Sequence, residues 1–174
     1  MKTLKFNEFA LINEIGDLRN ITPFDIKHIS GNFKDVIVYE FYVDQSNRKP
    51  EEFWCELYPT ESTEEDEAFF EFDEVMLNKR RKANIKVIYE ISFSSLETGF
   101  DDKKFDLKTA NRVLATIFEI IKAVDDRFSG ICYTYEGTDD RRQKYYTAAL
   151  NKLAEANKYA IATIGHEQIL FFKK

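Results

Sequence analysis

Cysteine and histidine are scarce in this chain. Cys55 and Cys132 lie far apart in apolar, strand-like surroundings and form no C-x-x-C pair. That pattern predicts two buried thiols kept reduced in a cytosolic setting. His28 and His166 are the only histidines. Without H-E-x-x-H or paired Cys/His spacing, the sequence predicts no zinc site, and it implies no cofactor. A Cys132 and His166 nucleophile pair would need a third, orienting residue, and none is suggested for a cysteine placed mid-strand. Glycine and proline are also few, at six and three. Neither G-x-x-x-x-G-K-[ST] nor G-x-G-x-x-G occurs, which argues against P-loop and Rossmann phosphate binding. Positive charge is in deficit, 25 Lys and Arg against 31 Asp and Glu, a net charge of -6. Because non-specific nucleic-acid affinity comes from neutralising phosphates, no strong nucleic-acid binding is expected. No apolar run approaches the roughly 20 residues that span a bilayer, so no membrane role is expected. Met1-Lys2-Thr3-Leu4-Lys5 is followed by Asn7 and Glu8 in place of an apolar stretch, which predicts no secretory signal. The expected location is the cytoplasm of the cell that makes the protein, or a particle into which it is later packaged.

What the chain has is aromatic bulk. Sixteen Phe and nine Tyr among 174 residues, with 44% hydrophobic side chains, can fill a core and suit strands better than helical repeats. The expectation is a single α+β domain over 1–174, with a meander half (1–98) and a strand-helix-strand-helix-strand half (99–174). Phe6, Phe9, Leu11, Ile12 and Ile15 have a loose helical spacing that ends at Gly16-Asp17, as in a short helix or an arm. From Phe24 the period becomes two. Strands are predicted over 24–29, over 35–43 with apolar residues on both faces and hence a central place, over 52–58 with a stop at Pro59, over 68–72 and over 85–93. Short polar connectors between them make an antiparallel sheet the economical arrangement.

In the second half, Asp106 or Thr109 can cap a helix whose Val113, Ile117, Ile120, Ile121, Val124 and Phe128 form one stripe. Ser129-Gly130 ends it. A strand over 131–135 follows. A second helix, capped at Thr138, places Tyr146, Leu150, Leu153 and Asn157 on one face, and strands over 159–164 and 168–172 form a hairpin about Gly165-His166. The fold class is therefore α+β, a mostly antiparallel sheet with two C-terminal helices packed on it.

Two clusters carry candidate chemistry. Arg141, Arg142, Tyr145 and Tyr146 stand at the entrance of the second helix, where cationic side chains and free backbone N–H groups can receive an anion or ligand. The alternative is surface pairing of Arg141 and Arg142 with Asp139 and Asp140 while Tyr146 fills the core. The loop bearing Glu61, Glu64, Glu65, Asp66 and Glu67 can imitate a run of phosphates toward a partner, or simply be a solvated connector. Lys79-Arg80-Arg81-Lys82 is its basic counterpart, a hairpin tip or a contact for an acidic partner.

The segment Thr109-Ala110-Asn111-Arg112-Val113-Leu114-Ala115-Thr116-Ile117-Phe118, with Arg141-Arg142-Gln143-Lys144-Tyr145-Tyr146 downstream, resembles a group of uncharacterised tailed-bacteriophage proteins. In that group a V-[FL]-A-T-[VI] helix precedes a strand and an R-x-x-x-Y helix. The order of elements in the same half is similar to the cofactor half of GCN5-related N-acetyltransferases, a GNAT-like topology. That resemblance implies a pyrophosphate loop, [QR]-x-x-G-x-[GA], before the first helix. Here the stretch is Asp102-Lys103-Lys104-Phe105-Asp106-Leu107-Lys108, without glycine. The resemblances together imply a non-enzymatic phage protein that binds another protein, as a virion component or as an accessory factor acting on a host protein, with self-association open. Two alternatives stand beside it. One is an acyltransferase with a degenerate coenzyme A loop and Tyr145 or Tyr146 as general acid; the other is an acidic nucleic-acid mimic.

Overall fold

The computed structural model describes residues 20–44, 49–60, 84–95, 106–136, 146–152, 158–164 and 168–173. Strands β1 (Ile26–Ser30), β2 (Ile37–Val43), β3 (Glu51–Thr60) and β4 (Val87–Ser95) precede helix α1 (Leu107–Arg127). Strand β5 (Ile131–Glu136), a helical segment α2 (146–152), and strands β6 (Tyr159–Ile164) and β7 (Gln168–Lys173) follow. One seven-stranded sheet runs β1-β2-β3-β4-β5-β7-β6. Strands β1 to β4 form the antiparallel meander. Strands β4 and β5 are parallel, as the intervening helix α1 allows. Both remaining pairs are antiparallel, and the β6–β7 hairpin folds so that β7 lies inside and β6 takes the edge. The class is α+β, with a mixed, mostly antiparallel sheet and, among the described residues, two helices.

The period-two patterns decide which face is buried. Ile37, Tyr39, Phe41 and Val43 of β2, Phe53, Cys55 and Leu57 of β3, Val87, Tyr89 and Ile91 of β4, and Ile131 and Tyr133 of β5 form one apolar floor. Against it α1 lays Val113, Leu114, Ile117, Phe118, Ile120, Ile121 and Val124. Each such side chain, fully buried, contributes about 1.5–3 kcal/mol before chain entropy is counted. Of the two expected caps, Asp106 is the one used: its Oδ1 accepts the Thr109 N–H at 2.7 Å. The chain entering β1 is clamped to the same helix. Phe24 donates its N–H to Thr116 Oγ1 at 2.9 Å, and the Arg112 guanidinium lies 3.8 Å over the Phe24 ring.

Two glycines are required by geometry. Gly31 turns β1 toward β2 at φ 100, and a Cβ there would stand 2.2 Å from the Val36 carbonyl oxygen. α1 stops at Arg127 with Phe128 as its C-cap, ahead of the expected Ser129-Gly130; Gly130, at φ 76, turns the chain into β5, and its carbonyl accepts the Lys86 N–H at 2.7 Å, bringing the starts of β4 and β5 together.

Two expectations need correction. Pro59 does not stop β3, which continues to Thr60; Leu57 is the last residue of β3 paired with β2, so beyond it that side is an edge where a missing N–H costs nothing. Strand β2 lies one place in from the sheet edge, between β1 and β3, and not at the centre. The expected N-terminal helix and the strand over 68–72 lie outside the described residues, as do Thr138, Leu153 and Asn157.

Candidate functional site

In sheets with parallel strands, ligands bind at the carboxyl ends of the strands where the connectivity changes direction. Here that place is the fork between β4 and β5. Their pairing runs from Val87–Ile131 to Glu90–Thr134, after which β4 continues to Ser95 and β5 to Glu136. The fork is filled by the protein's own rings. Phe93 of β4 and Tyr135 of β5 are stacked with centroids 6.4 Å apart. Tyr146 of α2 meets Tyr135 edge-on at 5.0 Å and Phe93 at 6.2 Å. Each such pair contributes about 0.5–1.5 kcal/mol beyond the area it buries. Of the expected anion-contact residues, Tyr146 is thus a partly buried ring of this cluster, while Arg141, Arg142 and Tyr145 lie outside the described residues. So do Glu61, Glu64, Glu65, Asp66 and Glu67, and the basic run over 79–82.

The N-terminus of α1 follows the carboxyl end of β4. A helix start carries unpaired N–H groups and partial positive charge, which favours an anion. Asp106 supplies that anion itself. Hydrogen bonding from the Thr109 N–H holds its carboxyl below the usual carboxylate range. Beside this end lies a groove of about 750 Å³ lined by Asn20, Ile21, Thr22, Leu107, Lys108, Asn111 and Arg112. Arg112 is already engaged there, its Nε donating to the Thr22 carbonyl at 3.0 Å.

Sequence reasoning missed a second polar cluster, at the other end of α1. Asp125 accepts the Tyr133 hydroxyl at Oδ1, 2.8 Å away, and the Tyr159 hydroxyl at Oδ2. Burial raises the Asp125 pKa above the ordinary carboxylate value despite these donors, and burial likewise raises both tyrosines. With its two oxygens engaged and both phenols packed in the core, the cluster bolts α1 to β5 and β6. No local signal marks it, because its members are brought together only by the tertiary fold.

Both cysteines are buried and outside any disulfide, as expected. Desolvation pushes the Cys55 thiol up to about 12, which keeps it from acting as a nucleophile near neutral pH. His166 lies outside the described residues, and exposed His28 places Nε2 3.2 Å from the Gly31 carbonyl oxygen. Among the described residues no group of three or more His, Cys, Asp or Glu is gathered as a metal site, and no helix is long and apolar enough to cross a membrane. Comparison with family models, curated proteins and solved structures returns no match, which leaves the geometry of the sheet to carry the functional argument.

Proposed function

We propose that this chain is a non-catalytic, phage-encoded protein that acts by binding another protein, as a virion component or an accessory factor directed at a host protein. Its scaffold on this reading is GNAT-like. The strand order β1-β2-β3-β4-β5-β7-β6, with one parallel pair spanned by α1, supports that reading. The observation that carries the choice of binding over acyl transfer is the Asp106 cap. The resemblance implies coenzyme A phosphates at the first turn of α1; a carboxylate holds the Thr109 N–H there and repels a diphosphate. The filled fork adds to it, since Phe93, Tyr135 and Tyr146 occupy the place where a ligand would enter between the strands.

Capture with the tagged protein from infected-cell lysate, followed by size-exclusion chromatography and mass spectrometry, tests the reading. A stoichiometric complex with one host protein supports the accessory form, and symmetric copies in purified particles support the virion form. Neither complex nor particle association, together with acyl transfer by the purified chain, would overturn it.

A further inference from the structure

The side of the sheet turned away from α1 has a composition of its own. Register places Glu40 opposite Trp54, Tyr42 opposite Glu52, and Tyr58 opposite Glu90, three cross-strand pairs of a carboxylate with an aromatic ring. Glu56 shares their face, two residues from Trp54 and from Tyr58 along β3. Tyr42 and Tyr58, each near the carboxyl end of its strand, are 50% and 40% exposed. Hydrogen bonds tie rings to acids, Trp54 Nε1 donating to Glu52 Oε1 at 2.9 Å and the Tyr42 hydroxyl to Glu52 Oε2 at 3.3 Å. The carboxylates raise the pKa of both phenols, Glu40 acting first on Tyr42 and Glu56 first on Tyr58.

Among the described residues one cation answers this charge. Lys27, 3.7 Å from Glu40, makes the ion pair found here among the described residues; Glu52, Glu56 and Glu90 have none. Past Glu90 the same face is already covered, since its register partner Thr134 on β5 and the Ile88–Cys132 pair beside them are buried, which confines the accessible acids and rings to β2, β3 and Glu90 of β4.

We propose that this face docks an arginine- or lysine-rich segment of a partner protein, its cations set between the carboxylates and over the rings of Tyr42, Trp54 and Tyr58. The inference rests on the binding reading above and supplies the chemistry of the partner. Guanidinium groups suit both halves of the surface, since they pair with carboxylates and lie flat on aromatic faces. A second copy of this chain does not suit it, because it would bring the same carboxylates against themselves.

Anisotropy of a labelled octa-arginine peptide, at low and high salt, provides the test. The double variant Glu56→Gln/Glu90→Gln is expected to weaken binding roughly fivefold at low salt, two exposed ion pairs each contributing about 1.5- to 5-fold. Glu119→Gln/Asp126→Asn removes the same charge on the helix side and should change affinity less than about twofold, as long-range attraction alone is screened. Tyr42→Leu/Tyr58→Leu should lose roughly fivefold at high salt, where the cation–ring contacts persist. Equal weakening by the two charge variants, or no binding by the parent chain at low salt, overturns the proposal. Should the tagged protein still capture a stoichiometric partner in that case, the docking face alone falls and the binding reading stands.

Discussion

Removing the Tyr133 or the Tyr159 hydroxyl tests the bolt that holds α1 on the sheet. Each phenol donates to one oxygen of a largely buried Asp125. A hydrogen bond to a charged group contributes about 1.5–3 kcal/mol, and the carboxylate oxygen left behind is short of a donor. Tyr133→Phe and Tyr159→Phe are each expected to destabilise the fold by about 2 kcal/mol, lowering Tm by about 4–8 °C in a chain of this size. Because both act through one carboxylate, the double variant should deviate from additivity by about 0.5–3 kcal/mol. Urea unfolding by fluorescence and circular dichroism measures all four corners of the cycle. The pH dependence carries a sign. Burial raises the Asp125 pKa in the fold, so its contribution is full below the unfolded carboxylate value of 3.8 and is lost as pH rises through the raised folded value. The stability advantage of the parent chain over Asp125→Asn should therefore shrink from acid toward neutral pH. Single variants within about 0.5 kcal/mol of the parent, the range of ordinary surface changes, would refute the bolt.

Three further outcomes follow from local geometry. Gly130→Ala must hold a positive φ with its Cβ 2.5 Å from the Asn84 carbonyl oxygen, and should cost about 1–3 kcal/mol in urea unfolding. Asp106→Ala removes the α1 cap and should cost about 0.5–1 kcal/mol. The Asp106 pKa is lowered in the fold, so this cost should be present above the unfolded carboxylate value and vanish as pH falls through the folded one. Cys55 and Cys132 are both buried, so a thiol reagent such as Ellman's should react with neither in the native protein and with both after unfolding in denaturant.

Much of the architecture was legible in the residues. The α1 stripe from Val113 to Val124 has the 3.6 period of a helix pressed on one surface, and β2, β3, β4, β6 and β7 each carry a recognisable run of strand-forming residues. Strand neighbours were harder to read. Nothing within Ile131–Glu136 states that its partners are β4 on one side and β7 on the other, since pairing is settled by crossover geometry and by what the helices cover. Pro59 misled for the same reason, because its tolerance depends on where β2 runs out. The carboxylate–aromatic face was half visible: Glu52, Trp54, Glu56 and Tyr58 alternate along one strand, but Glu40 and Glu90 join them only through register. Asp125, Tyr133 and Tyr159 lie on three separate elements, and only the tertiary fold joins them.

The central claim is that the first turn of α1 and the fork beside it do not hold coenzyme A. Isothermal titration of the purified chain with acetyl-coenzyme A tests this most directly. The Asp106 carboxylate and the Phe93, Tyr135 and Tyr146 rings predict no saturable heat at millimolar ligand. Saturable binding in the micromolar range, at one ligand per chain, would contradict it.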